Sequence, residues 1–175
     1  MEPRRDGTAI RAMTRRLRIA TFNLENLDDR RLSAEAFADR LAVLRPQLVR
    51  LRADILCLQE INGCDPGHGE ERTLSALDRL LAGTDYESFH RHVSLNRQRV
   101  HPADRHNLVV LSRHPFAGRS QTWHDLVRPP LHRAVAGDDQ PEPVEWDRPL
   151  IQATILLPGH ERDIQVLGPL HALPR

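Results

Sequence analysis

The sequence feature that most constrains the fold is a short apolar run, Ala53–Ile61, which carries a carboxylate close to its end. The run reads Ala-Asp-Ile-Leu-Cys-Leu-Gln-Glu-Ile and is followed by Asn62-Gly63. An apolar stretch of this length before a turn signal predicts a buried strand that ends in a loop. Burial of the Glu60 carboxylate is costly unless it is paired or binds a metal ion. Glu60 therefore marks the place to look for chemistry.

The segments before this run predict a strand and a helix. Leu17–Leu24 is apolar and carries Asn23 near its end, and Ser33 can cap a helix that begins at about Ala34. Apolar residues then recur at steps of four and three along one helix face, and Pro46 is expected to kink or restart the helix. A strand, a helix and a strand within some forty residues predict two parallel strands. Asn23 and Glu60 would then lie at the same edge of the sheet.

The rest of the chain alternates short apolar segments with polar loops, which predicts a single α/β domain over residues 17–175 after a disordered leader, 1–16. A proline-rich loop is expected over Pro129–Pro143. The predicted elements are a helix at Thr73–Leu81, strands at Tyr86–Val93, Asn107–Leu111 and Gln121–Val127, and a hairpin of Pro149–Leu157 with Asp163–Leu167.

Composition excludes several classes of protein. The formal net charge is +1 although all 25 basic residues are arginine, so there is no overall nucleic-acid footprint. No run approaches the roughly 20 apolar residues that span a membrane, and the arginine-rich N-terminus lacks the apolar core of a secretory signal. Two cysteines do not form a disulfide framework. We expect a cytoplasmic protein without a membrane partner.

Four segments in this order resemble the endonuclease/exonuclease/phosphatase family, metal-dependent phosphoesterases that include the DNase I-like enzymes. The resemblance implies a two-sheet α/β sandwich with helices outside both sheets. The segments are Ala20-Thr-Phe-Asn-Leu-Glu-Asn-Leu27, Ala53-Asp-Ile-Leu-Cys-Leu-Gln-Glu-Ile61, Asn107-Leu-Val-Val-Leu-Ser-Arg113 with Pro115, and Val166-Leu-Gly-Pro-Leu-His-Ala172.

The resemblance also implies roles for particular residues. Glu60 would be the principal ligand of Mg²⁺ or Mn²⁺, with Asn23 supporting it, and His171 would be one of two catalytic histidines flanking the scissile phosphate. The alternatives are a salt-bridged glutamate at a strand end, a turn asparagine and an ordinary histidine.

Two further residues are candidates for substrate binding. Asn107 matches the asparagine of the family's Gly-Asn-Ala-Ile-Leu pattern, with His106 in place of the glycine, and the alternative role for Asn107 is to shape the loop. Arg148 could bind a phosphate bidentately, or it could form a surface salt bridge.

The resemblance covers the N-terminal half to two-thirds of the family's domain. The later Asp-x-Asn and Ser-Asp-His segments of the family are absent from the sequence. Two hypotheses follow. The chain is a metal-dependent, nuclease-like phosphoesterase that hydrolyses phosphodiesters, or it is an inactive truncated fragment whose remainder would have to be supplied in trans. A binding or scaffold domain is a third possibility. The substrate, whether DNA, RNA, an inositol phosphate or a phospholipid, stays open.

Overall fold

The structure is a computed structural model that describes residues 16–28, 30–65, 67, 71–123, 128–132, 141–143, 148–158 and 162–168. It contains nine strands, two α-helices and one 3-10 turn within these ranges. In chain order the elements are β1 (Ile19–Leu27), α1 (Ala34–Leu51), β2 (Ile55–Ile61), α2 (Ser75–Leu81), the 3-10 turn Asp85–Ser88, β3 (His90–Val93), β4 (Asn107–Ser112), β5 (Phe116–Thr122), β6 (Leu131–His132), β7 (Glu142–Pro143), β8 (Leu150–Ile155) and β9 (Ile164–Leu167).

The first sheet is built around β2 and has the strand order β1-β2-β4-β3. β1 and β2 are parallel, with Ile19 beside Ile55 and Asn23 beside Gln59, which confirms the predicted crossover through α1. β4 is antiparallel to both β2 and β3. The end of β2 therefore lies between the end of β1 and the start of β4.

α1 covers one face of this sheet. The Ser33 hydroxyl accepts a hydrogen bond from the Ala36 backbone N–H at 3.1 Å, as expected of an N-cap. Pro46 was expected to kink or restart the helix. A restart is wrong, because the helix continues to Leu51, whereas a kink stays a prediction. Leu41 and Leu48, on either side of the proline, are buried in the same core, and this shared packing holds the two halves in one helix.

The second sheet has the order β5-β8-β9, and all its pairs are antiparallel. The pairing of β8 with β9 confirms the predicted hairpin. The strand expected over Gln121–Val127 instead begins at Phe116 and ends at Thr122, and residues 124–127 lie outside the described ranges. A two-stranded ladder of β6 and β7 lies inside the segment predicted to be a loop.

Two cores hold the layers together. Leu56 and Leu58 of β2 pack with the helices, whereas Ile55 packs on the other side of β2 with residues of the second sheet, including Ile151 and Ile155. One sheet is thus covered by helices on one face and by the second sheet on the other. This arrangement confirms the predicted two-sheet α/β sandwich. Both described helices pack on the first sheet, so helices outside the second sheet stay a prediction. No helix within the described ranges has the length and apolarity needed to cross a membrane.

Candidate active site

The fold brings three chain segments to one edge of the first sheet. Because β1 and β2 are parallel and β4 is antiparallel to β2, the ends of β1 and β2 meet the start of β4. Leu27 and Asn107 both pair with Ile61 in register. We call this edge, formed by residues 23–28, 59–63 and 103–107, the strand-end site.

Left-handed backbone conformations gather in the strand-end site. Glu25, Asn26, Glu60 and His106 have φ angles of 50°, 55°, 59° and 57°. Residues other than glycine adopt this conformation at a cost, and it persists only where the surroundings impose it. Glu60 lies where the register of β2 shifts against β4, between Leu58 and Ile61. Such bulges redirect a side chain and are common next to active sites.

Glu60 is half-buried, and its carboxylate has no hydrogen-bond or ion-pair partner among the described residues. The salt bridge considered for it from the sequence therefore finds no basic partner in this part of the chain. A partly buried carboxylate without a partner is unfavourable unless a cation approaches it. The local chemistry of Glu60 is thus that of a group able to hold a cation.

Asn23 lies beside Gln59, the residue that precedes Glu60, on the adjacent parallel strand. Its side-chain Oδ1 accepts a hydrogen bond from the Glu25 backbone N–H at 2.8 Å. An asparagine that bonds to the backbone two residues ahead shapes a turn. Asn23 is itself exposed. The side chain both shapes the turn in the irregular last part of β1 and lies within one residue of Glu60 across the strands.

Asn107 fastens the loop before β4 to the end of β2. Its Nδ2 donates to the carbonyls of Ile61 and Ala103, both at 2.9 Å, and its Oδ1 accepts from the Ala103 N–H at 2.8 Å. Asn107 is 1% exposed. These contacts are those of a residue that shapes the loop, and substrate binding by Asn107 stays a prediction.

Gly63 permits the close approach of the same two segments. Its backbone N–H donates to the Asp104 carbonyl at 2.9 Å. A Cβ at this position would overlap the backbone carbonyl oxygen of Ala103. The sequence predicted a turn at Asn62-Gly63, and the structure shows that the glycine is needed for contact with a loop forty residues away.

A buried polar pair, Asp28 and Asn62, was not predicted from the sequence. Asn62 Nδ2 donates to Asp28 Oδ2 at 3.1 Å, and the Arg30 backbone N–H donates to Asp28 Oδ1 at 2.8 Å. Burial by itself raises the pKa of Asp28, but the hydrogen bonds from Arg30 and Asn62 and the Arg30 charge outweigh it, so the pKa lies below its ordinary value. Asp28 is thus held as a carboxylate. Its position in a polar loop after a strand gave no signal of burial.

The start of β8 lies at the same end of the sandwich. β5 follows the end of β4 and runs back toward the end of the sandwich that carries the strand-end site. Near this end the Gln121 side chain forms hydrogen bonds with both the N–H and the carbonyl of Leu95, at 2.7 and 3.1 Å. Thr122 pairs with Leu150, so Arg148 precedes β8 at this end. Arg148 is 7% exposed and has an interaction partner. It is therefore not a surface residue, and its binding of phosphate stays a prediction. His171 lies outside the described residues.

The side-chain oxygens of the strand-end site could supply part of the ligand set of a magnesium ion. Within the described ranges no three side chains of histidine, cysteine, aspartate or glutamate gather as a metal cluster. Mg²⁺, however, is often bound through one or two carboxylates, with water and substrate phosphate completing its shell. Glu60 can supply the carboxylate and Asn23 a neighbouring amide oxygen.

One family model and one solved structure agree with this architecture. The model of the Endonuclease/Exonuclease/phosphatase family matches residues 20–169. A solved endonuclease/exonuclease/phosphatase family protein from Leptotrichia buccalis C-1013-b has a similar fold, with a TM-score of 0.54 at 16% identity over 91% of this chain. A solved endonuclease/exonuclease/phosphatase from Beutenbergia cavernae DSM 12333 aligns with a TM-score of 0.47 at 22% identity over 87% of this chain. The chain spans 56% and 37% of these two proteins, respectively. Among curated proteins nothing matches.

Proposed function

Because this chain belongs to the endonuclease/exonuclease/phosphatase family, whose model covers residues 20–169, we propose that it is a divalent-metal-dependent, nuclease-like phosphoesterase domain that acts on phosphodiester bonds. The observation that carries the proposal is the environment of Glu60. Its carboxylate is half-buried and has no partner among the described residues, and its backbone has a left-handed conformation where three chain segments meet.

The residues of the strand-end site would act by holding and orienting. Glu60 and Asn23 would hold Mg²⁺ or Mn²⁺ from neighbouring strands. When bound, such an ion stabilises the charge that develops on a phosphoryl oxygen. Asn107 and Gly63 would keep the loop before β4 against the end of β2, so that the backbone around Glu60 keeps its conformation.

Two other residues complete the proposal from the sequence. His171, by resemblance, would donate a proton or a hydrogen bond to the phosphate, a role suited to an imidazole near neutral pH. Arg148 would neutralise substrate phosphate, and its position before β8 at the same end of the sandwich supports this role. The attacking group would be water.

The second candidate is a fragment that needs further sequence for activity. It is favoured by the finding that the chain spans 56% of the Leptotrichia buccalis protein. Under this hypothesis the strand-end site still binds a metal ion, but turnover requires a complementary segment supplied in trans.

The test compares the purified chain with Glu60→Gln and Glu60→Gly. Calorimetry measures Mn²⁺ binding, and hydrolysis of bis(p-nitrophenyl) phosphate with Mg²⁺ or Mn²⁺ measures turnover. Changes around a metal ligand typically cost about 10–100-fold in metal affinity or activity, so loss of the ligand itself should cost at least about 100-fold. Metal binding without turnover supports the fragment hypothesis, whereas Mn²⁺ affinity that is equal in all three proteins contradicts a metal site at Glu60.

A further inference from the structure

His106 lies in the strand-end site in a conformation that favours glycine. Its φ angle is 57°, and it directly precedes Asn107, which begins β4. The family pattern that Asn107 matches has glycine at the position of His106. At this φ angle the Cβ of a histidine crowds the following carbonyl oxygen, a steric cost that a glycine would not have. The ring must therefore be explained by what it contacts.

The contacts of His106 join three separate segments of the chain. Its ring Nε2 lies 2.8 Å from Asn26 Oδ1 in the irregular last part of β1, and its backbone N–H donates to Asn62 Oδ1, at 3.3 Å, in the connection after β2. An amide oxygen can only accept, so the ring Nε2 carries the proton and donates. We call His106, Asn26 and Asn62 the three-segment clasp.

The clasp borders the backbone that directly follows Glu60. The Asn62 backbone N–H donates to the Leu27 carbonyl at 3.0 Å, and Leu27 and Asn107 are the register partners of Ile61, the residue after Glu60. Asn26, at the other side of the clasp, is the third residue after Asn23 and shares its turn. The hydrogen bond from His106 to Asn26 thus ties the turn of Asn23 to the loop that borders Glu60.

We propose that His106 is a positioning residue that sets the spacing between Asn23 and Glu60 and thereby tunes metal affinity. The inference rests on the proposed function, because it assumes that these two residues hold the ion. Loss of a residue that orients a metal ligand without touching the ion typically changes metal affinity or activity by about 10–100-fold. His106 acts through Asn26 and Asn62 and needs no contact with the ion.

The experiment uses His106→Gly, Asn26→Ala and the double variant in the full chain. Glycine relieves the left-handed conformation while removing the ring, so the melting temperature should stay at or above that of the wild type. Mn²⁺ affinity measured by calorimetry should fall about 10–100-fold in each single variant. The double variant should lose little more, because both substitutions break the same hydrogen bond. His114→Gly, at the far end of β4, is the matched control and should keep full affinity.

Each outcome decides the matter. Unchanged Mn²⁺ affinity in His106→Gly, with binding lost in Glu60→Gln, overturns the clasp but leaves the proposed function standing. If the wild type binds no Mn²⁺, or Glu60→Gln binds it equally well, the proposed function fails and the clasp with it. His106→Asn, which tolerates a left-handed backbone but has a shorter side chain, is the second variant. If both His106 variants lose affinity only in proportion to lost folded protein, His106 is merely structural.

Discussion

Asp28 and Asn62 form a buried contact between two polar side chains of the strand-end site, with exposed fractions of 4% and 3%. Two arginines, Arg30 and Arg31, lie within ion-pair distance of the Asp28 carboxylate, at 3.4 and 3.6 Å. A buried carboxylate surrounded by donors stabilises the fold only while it is ionised. The ionisation of Asp28 therefore makes the stability of the fold depend on pH.

Replacement of Asp28 by asparagine should lower the free energy of unfolding by about 1.5–3 kcal/mol at pH 7, since hydrogen bonds to a charged acceptor are lost. The folded pKa lies below the ordinary value of about 3.9. The contribution of the carboxylate is thus fully present above pH 4 to 5 and disappears as the pH falls through the folded pKa. Urea unfolding at pH 7, 5 and 3 measures the difference between the two proteins.

The difference between wild type and Asp28→Asn should be constant from pH 7 to pH 5 and should shrink at pH 3. Asp39→Asn, on the exposed face of α1, is the control and should change stability by no more than about 0.5 kcal/mol. A difference that grows as the pH falls would show that Asp28 is not held as a carboxylate.

At the scale of elements, α1 tolerates a proline in its interior. Pro46 has no N–H to donate to the helix, and its ring is exposed. Phe37, Leu41 and Leu48 nevertheless bury one face of the helix in the core. The proline therefore weakens the helix locally, while the packing of both halves keeps it continuous.

Pro46→Ala should raise the free energy of unfolding by about 1–3 kcal/mol, because alanine restores a helix hydrogen bond and no buried contact is lost. The greater freedom of the unfolded alanine chain offsets part of this gain. Thermal and urea unfolding measure the change, and Gln47→Ala, the exposed neighbour, should be close to neutral. A lower stability would mean that the helix depends on the conformation that the proline imposes.

At the scale of the whole molecule, each sheet has an edge strand with an exposed apolar side chain. Ile19 of β1 is 54% exposed and Leu167 of β9 is 58% exposed. Among the described strands, β1 and β9 each pair with one neighbour. Unpaired strand edges with apolar side chains promote association with other chains.

Lysine at both positions, Ile19→Lys with Leu167→Lys, should reduce self-association of the purified chain. Charged residues on an edge strand oppose pairing with a second strand. Light scattering over a range of protein concentrations should move toward the monomer mass of 20.0 kDa. Val43→Lys, on α1 and 61% exposed, is the matched control because it lies away from the sheet edges. An equal effect of Val43→Lys would indicate that net charge, and not the strand edges, controls association.

Much of the fold was predictable because its signals are local. The apolar run ending at Glu60, the helical spacing from Phe37 to Leu51 and the hairpin of β8 and β9 all depend on residues close in sequence. Of β5, only Gln121 and Thr122 lay in a predicted strand. Its residues are mostly polar and exposed, so its pairing with β8, and not an apolar pattern, makes it a strand. The 3-10 turn over Asp85–Ser88 likewise replaces the first part of a predicted strand.

The amino-acid sequence was sufficient to predict that Asn23 and Glu60 lie near the ends of two strands at one edge of a sheet, since a parallel crossover requires it. The folded structure was needed to show that Glu60 lies in a bulge with a left-handed backbone, and that His106 contacts Asn26 eighty residues away. The difference lies in how far apart along the sequence the interacting residues are. Hydrophobic periodicity depends on neighbouring residues, whereas the polar contacts of a site form between distant side chains that only the packed strands bring together.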